Sequence, residues 1–321
     1  MTPAPKESRE GVDLSNLDQP LFEGADATKR ELIDYLDGVS DRILPALQGR
    51  PLSVIRVHRG DEPFMQKNLP KYTPEWVPRM TTWAESSKRD VTYAVCDDRR
   101  TLIWFGNQRA IEYHPSLSSV DRRDRISHLV LDLDPPPGAP FSAAVEGARL
   151  VRQVLDDVGL GGALKTSGAK GLHVFVPIDL DTPPADAAAA TRAIAERAAA
   201  IDPSVATTAF LKEDREGKVF VDATRVAGAT VVAAYSPRAR PGTPVSCPVT
   251  WEELADLVPS SITIRNALDR LGDEDPWADQ MPSPQTLPAE LVEEGRSVAA
   301  PRVEAMHEGR RRAARARKKP S

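Results

Sequence analysis

One short run sets the terms for the whole chain: His128-Leu129-Val130-Leu131-Asp132-Leu133-Asp134, followed at once by Pro135-Pro136-Pro137. An apolar run of this length reads as a buried strand, and prolines, which have no N–H for a sheet ladder, stop it abruptly. Side chains at i and i+2 lie on one face of a strand, so Asp132 and Asp134 point the same way at its end. Two like charges held that close repel each other unless a cation sits between them. Oxygen-only ligands of this kind suit Mg²⁺ or Mn²⁺. A strand that simply ends in a polar loop has the same letters, so the pair leaves two readings open, a hard-metal site or a polar strand end. In either case the fold is built around a sheet that buries this strand.

The chain of 321 residues can bury a large core, as one big domain or two lobes. With 40% hydrophobic and 28% charged residues it has the composition of a globular protein. No apolar run approaches the roughly 20 residues of a membrane span, and residues 1–11 lack the apolar stretch of a signal peptide. Cys96 and Cys247 alone make neither a disulfide framework nor a zinc site, so the expected compartment is a reducing cytoplasm. The net charge of −5 is no overall signature of nucleic-acid binding, but it conceals an asymmetry. Residues 309–319 carry seven positive charges and no acid, a block that reads either as a phosphate-gripping tail or as a solvated one.

Hydrophobic periodicity predicts a helix over 28–48 with Thr28 as its cap. Strands are predicted at 52–57, 91–95 and 101–105, the last running on through 111–114 after a short helix. Strand 128–134 is followed by a helix near 141–158, a strand at 171–178, an alanine-rich helix over 184–200 and strands at 218–222 and 230–235. Strands and helices mix without a strict βαβ rhythm, which predicts an α+β fold with a mixed or antiparallel central sheet, flanking helices and two lobes. The expected domain runs over 10–280, with 281–321 as linker and disordered basic tail, because periodicity is lost there.

Three further segments bear on the carboxylate pair. Asp222 ends the apolar strand Val219-Phe220-Val221-Asp222, where a metal ligand and a turn cap look alike. In Lys165-Thr166-Ser167-Gly168-Ala169-Lys170-Gly171-Leu172-His173, two glycines permit close backbone approach to an anion and Ser167 and Lys170 can donate to phosphate oxygens. A glycine-rich hairpin turn reads the same way. Tyr235-Ser236-Pro237-Arg238-Ala239-Arg240 offers arginines in an ordered loop, suited to clamping a triphosphate or to plain surface solvation. Arg215 and His114 carry the same ambiguity.

Taken in order, five segments resemble the polymerase domain of bacterial ATP-dependent DNA ligase D, in the archaeo-eukaryotic primase superfamily. They are Glu112-Tyr113-His114, Leu131-Asp132-Leu133-Asp134-Pro135, Thr166-Ser167-Gly168-Ala169-Lys170-Gly171-Leu172-His173, Lys218-Val219-Phe220-Val221-Asp222 and Tyr235-Ser236-Pro237-Arg238. The resemblance implies a primase-polymerase fold over roughly 10–280. It implies that Asp132, Asp134 and Asp222 are catalytic and bind two Mn²⁺ or Mg²⁺ ions. It further implies that Ser167, Lys170, His173, His114, Arg215 and Arg238 contact the incoming NTP or dNTP. Such enzymes extend primers, often prefer ribonucleotides, favour Mn²⁺ and fill short gaps bearing a 5′-phosphate.

The chain departs from the family in two places. The aromatic pair near the templating base reads Phe64-Met65, and a thioether offers less stacking area than a ring. Of two lysines that bind the 5′-phosphate in other members, Lys29 has a counterpart and the other position is Gln19; Lys67 and Lys71 read either as substitutes or as plain solvated surface lysines. The DNA-contact set is therefore Lys29, Phe64, Met65 and Lys67. With no ligase lysine motif and no His-rich phosphoesterase region, the chain resembles a stand-alone, actinobacterial-type member. The expected function is template-dependent polymerisation in DNA repair, by a nucleoid-associated monomer with DNA as its partner, alongside a separate DNA ligase and end-binding repair proteins. The alternatives are a DNA-end-binding scaffold with weak catalysis and a primase that starts chains de novo.

Overall fold

The computed structural model describes residues 7–58, 60–84, 88–226 and 230–300. The chain opens with strands β1 (Ser8–Arg9) and β2 (Val12–Asp13), then helices α1 (Lys29–Gly38) and α2 (Ser40–Leu47). Strands β3 (Pro51–Arg56), β4 (Phe64–Gln66), β5 (Arg79–Ala84) and β6 (Arg89–Val95) precede helix α3 (Arg99–Asn107) and strand β7 (Ala110–Pro115). Next come β8 (His128–Asp134), α4 (Phe141–Asp157), β9 (Ala163–Thr166), β10 (Leu172–Pro177) and α5 (Pro184–Ile201). The chain continues through β11 (Ala206–Thr207), β12 (Val219–Asp222), α6 (Ala267–Leu271), α7 (Pro276–Gln280) and α8 (Ala289–Ser297). This is the expected α+β class. No described helix is long and apolar enough to cross a membrane.

Two compact units interleave along the sequence. The first comprises Met1–Arg123, Lys165–Lys170 and Thr230–Gln280; the second comprises Asp124–Leu164, Gly171–Ala229 and Met281–Ser321. In the first, β4-β3-β6-β5 form an antiparallel sheet, and β7 also pairs with β3. Its core gathers Leu32, Ile33 and Leu36 of α1 with Leu102, Ile103 and Phe105 of α3, all buried. Burying each such side chain contributes about 1.5–3 kcal/mol. Thr28 caps α1 with a reciprocal pair: its hydroxyl accepts from Glu31 N–H, and the Glu31 carboxylate accepts from Thr28 N–H at 2.7 Å.

The second unit is built on a five-stranded sheet in the order β11-β12-β8-β10-β9. Strand β8 is antiparallel to both β12 and β10, whereas β11 runs parallel to β12. Every residue from Leu129 to Leu133 is buried, as a strand flanked on both sides requires. Helices α4 and α5 pack on it, and at Lys165 the chain leaves this unit.

Four expectations are corrected. The run 101–105 is helix, not strand: Asp98 caps α3 by accepting from Thr101 N–H, and a short run buried all round has no period to distinguish the two. The predicted helix over 28–48 is two helices that break at Val39. Residues 230–235 form no regular strand. Thr230 makes a single bridge to Ser116, and Tyr235 turns out of extended conformation with φ of 65°. Residues 281–300, expected to be linker, include α8, with Leu291 buried. There a Cβ on Gly295 would lie 1.8 Å from the Ala189 carbonyl oxygen, so the alanines of α5 and this glycine let the two backbones meet. The basic segment 309–319 lies outside the described residues.

Candidate functional site

Strand register aligns the acidic residues of the second unit. Asp132 on β8 is paired directly with Asp222 on β12 and with His173 on β10, so three neighbouring strands present these side chains side by side on one face. Asp134 lies two residues on along β8, on the same face. Leu131, Leu133, Val221 and Leu172 are buried, and this apolar layer fixes the register, because a slip of one residue would exchange the faces.

Asp132 is buried and held from both sides. His173 Nε2 lies 3.1 Å from its Oδ1, while Arg225 Nη2 and Nε donate to its Oδ2 at 2.7 and 3.0 Å. Arg225 Nε also lies 3.3 Å from Asp222 Oδ2, and Asp222 Oδ1 accepts from Thr224 N–H at 2.8 Å. Burial works against charge on Asp132, but His173 and Arg225 hold its carboxyl well below the usual carboxylate range. Asp134 behaves in the opposite way. Lost hydration, followed by the negative charge of Asp132, pushes its carboxyl up to about 6. Proton affinities driven apart in this way mark an excess of negative charge at one spot.

Among the described residues no three His, Cys, Asp or Glu side chains are drawn together as a finished metal cage. Even so, the donor chemistry fits a hard divalent cation: three carboxylates on one strand-end face, two of them already needing a guanidinium for neutralisation. Arg225 was not anticipated from sequence. Its only signal was a cation three residues beyond Asp222, in the turn that follows β12. Arg215 stacks its guanidinium 3.8 Å from the Phe220 ring and donates to the Ala209 and Phe210 carbonyls. Its charge eases that of Asp134, whose strand neighbour is Phe220.

The first unit collects a different set. Glu112 and His114 share one face of β7, while Ile111 and Tyr113 fill the core. Glu112 Oε2 lies 2.8 Å from His114 Nε2 and 3.0 Å from Arg238 Nε, and Glu112 Oε1 accepts from Ala239 N–H at 2.9 Å. Burial opposes charge on Glu112, but the hydrogen bond from His114 and the Arg238 charge keep its carboxyl below the usual range. Arg238 Nη1 in turn donates to the Ser167 carbonyl. Gly168, at φ of 68°, packs so closely that an added Cβ would stand 2.5 Å from Arg238 Cγ. Thus Ser167, His114 and Arg238 are brought together through Glu112, and Lys170 is exposed at the end of the same segment.

The candidate DNA contacts are scattered through the first unit. Phe64 and Met65 are exposed on the short strand β4, 37% and 42% accessible, and the Phe64 ring lies 5.0 Å from that of His58. Lys67 and Lys71 are exposed. Lys29 is not: it is 3% accessible, and its ammonium donates to the Ser15 carbonyl. Burial brings its pKa down to about 8. Gln19 is its backbone neighbour, accepting from Lys29 N–H at 2.9 Å.

A family model described as LigD, primase-polymerase domain, matches residues 28–277. The bifunctional non-homologous end joining protein LigD of Bacillus subtilis is 33% identical over 290 residues, which cover 88% of this chain and 46% of that protein. The multifunctional non-homologous end joining DNA repair protein LigD of Mycobacterium tuberculosis is 33% identical over 276 residues, 82% of this chain and 36% of that protein. The chain therefore spans less than half the length of the curated relatives it matches. Among solved structures, the polymerase domain of Mycobacterium tuberculosis ligase D in complex with DNA superposes with a TM-score of 0.77 at 31% identity. The match covers 84% of this chain and 97% of that one.

Proposed function

The chain belongs to the LigD primase-polymerase family, and on that footing we propose that it is a DNA-directed nucleotidyltransferase that extends primer ends and fills gaps when broken DNA is rejoined. One observation carries the reading: Asp222, Asp132 and His173 are paired across three adjacent strands with Asp134 on the same face, an arrangement that a polar strand end has no reason to adopt.

In this reading Asp132, Asp134 and Asp222 hold two divalent cations, Mn²⁺ or Mg²⁺. Those ions, when bound, lower the pKa of a primer 3′-hydroxyl and neutralise the departing pyrophosphate. His173 fixes the rotation of Asp132 through its 3.1 Å contact. Arg225 neutralises Asp132 and Asp222. Arg215, held against Phe220, adds a fixed positive charge near Asp134.

Ser167, Lys170, His114 and Arg238 take the phosphate oxygens of an NTP or dNTP, with ribonucleotides as the preferred substrate. No protein nucleophile is needed, since positioning and charge neutralisation account for phosphoryl chemistry of this kind. DNA is the partner, with Phe64 and Met65 beside the template base. Primer extension with NTPs and Mn²⁺ tests the proposal directly, comparing wild type with the Asp132→Ala/Asp134→Ala double variant. Extension by the wild type and none by the variant is expected; equal extension by both would refute it.

A further inference from the structure

Glu112 has no role in the function as described so far, although it has more polar contacts than any other side chain of its cluster. It is 5% accessible, on a strand whose neighbouring residues fill an apolar core. A buried carboxylate in such surroundings is costly unless several donors meet it. Two do, Ala239 N–H at Oε1 and His114 Nε2 at Oε2, and the Arg238 guanidinium adds an opposite charge with its Nε 3.0 Å from Oε2.

Each contact has a consequence for a group that the proposed function assigns to the triphosphate. A carboxylate can only accept, so His114 Nε2 carries a proton toward Glu112 and Nδ1 is the ring atom left to meet a ligand. Arg238 is held to Glu112 as an ion pair, its Nε 3.0 Å from Oε2, and its Nη1 donates to the Ser167 carbonyl. Gly168 lies against the same side chain at a distance that admits no Cβ. The shape of the Ser167–Gly168 turn thus depends on where Arg238 stands, and Arg238 stands where Glu112 puts it. The anchor itself is stiff, since Glu112 Oε1 is tied to the backbone of the very loop that carries Arg238.

We infer that Glu112 is the positioning residue of the triphosphate site: one buried carboxylate that sets the tautomer of His114, the position of Arg238 and, through Arg238, the Ser167–Gly168 turn. The inference rests on the polymerase reading and deepens it. It assigns this face of the first unit to a polyanion, the triphosphate of a nucleotide, and separates nucleotide capture from the carboxylate chemistry of the second unit.

The test is steady-state primer extension with Mn²⁺ and ATP, reading KM and the rate at saturation separately, with thermal melting as the control for folding. Glu112→Gln keeps the shape and the bond from Ala239 N–H but removes the charge. It is expected to raise KM for ATP about tenfold or more while the saturated rate changes by less than about threefold. Glu112→Asp, which restores charge at shorter reach, is expected to recover part of that loss, and it carries the test alone should Glu112→Gln fail to fold. In a His114→Ala background Glu112→Gln should raise KM by clearly less than it does alone, because the two act as a unit. An unchanged KM in Glu112→Gln, or in Glu112→Asp where only that variant folds, overturns the inference while leaving the polymerase reading intact. So does a KM effect that is fully multiplicative with His114→Ala. A wild-type protein that extends no primer overturns both.

Discussion

The acidic face of the second unit and the cationic cluster of the first are assembled in different ways. Asp132, Asp134, Asp222 and His173 share a face because strand register puts them there, and the apolar layer beneath pins that register. Their mutual repulsion is a standing cost, met by Arg225 and Arg215. His114, Arg238 and Ser167 come from three distant segments, and a single buried anion, Glu112, draws them together. The first arrangement concentrates negative charge that its neighbours only partly offset; the second sets a buried carboxylate against His114 and Arg238. On the proposed reading, that contrast gives metal chemistry to one and nucleotide capture to the other.

The sharpest way to break this division is at Asp132. Asp132→Asn keeps the side-chain shape and should cut the extension rate by about 10³-fold or more, at a lower melting temperature because Arg225 and His173 lose their charged partner; a rate loss below tenfold in the folded variant would deny the carboxylates their role.

Frustration also has a thermodynamic signature at Asp134. Its carboxyl, pushed up to about 6, binds a proton more tightly folded than unfolded, so raising the pH from about 4 to 6 costs the metal-free protein stability. Asp132, held low, works in the other direction, and its stabilisation is lost as the pH falls below the usual carboxylate range. Asp134→Asn should therefore melt higher than wild type at pH 7.5 without divalent ions, by an amount of order 1 kcal/mol once solvent screening is allowed for. Adding Mn²⁺ at about a hundred times its Kd should stabilise the wild type by about 2.7 kcal/mol and the variant far less. A variant less stable than wild type at pH 7.5 would remove the frustration argument.

A smaller effect is expected at the departure from the family's phosphate-binding pair. Lys29 is buried beside Gln19, so Gln19→Lys should tighten binding to a gapped duplex with a 5′-phosphate by about threefold, and leave a gap without the phosphate unchanged. Equal effects on both substrates would show that residue 19 does not read the phosphate. Deleting residues 305–321 should have the smallest effect, a lower salt slope of DNA binding with the saturated rate unaffected.

The two regions also differ in how much of them could be read from sequence. The second unit's site was legible because period-2 patterning survives in the linear chain: β8, β10 and β12 were expected within a residue or two of their observed ends, and the acids stand where the apolar runs stop. The cationic cluster was legible only by resemblance. Glu112 sits inside a quoted motif, but nothing local says that it touches Ala239, 127 residues away. Arg225 went unnoticed because a turn cation near a strand end is common. The misread elements share one cause, the loss of a usable period. The run 101–105 is buried all round, residues 230–235 are extended but pair only at isolated points, and α8 shows only a few apolar residues in nine.

The most direct test of the division of labour sets Asp222→Asn beside Arg238→Gln in the same primer-extension assay, over ATP concentrations that reach saturation. The account expects Asp222→Asn to lose about 10³-fold in saturated rate, and Arg238→Gln to regain most of the wild-type rate once ATP is raised about tenfold or more. An Asp222→Asn protein that keeps its saturated rate, or an Arg238→Gln protein that never recovers it, would contradict the account.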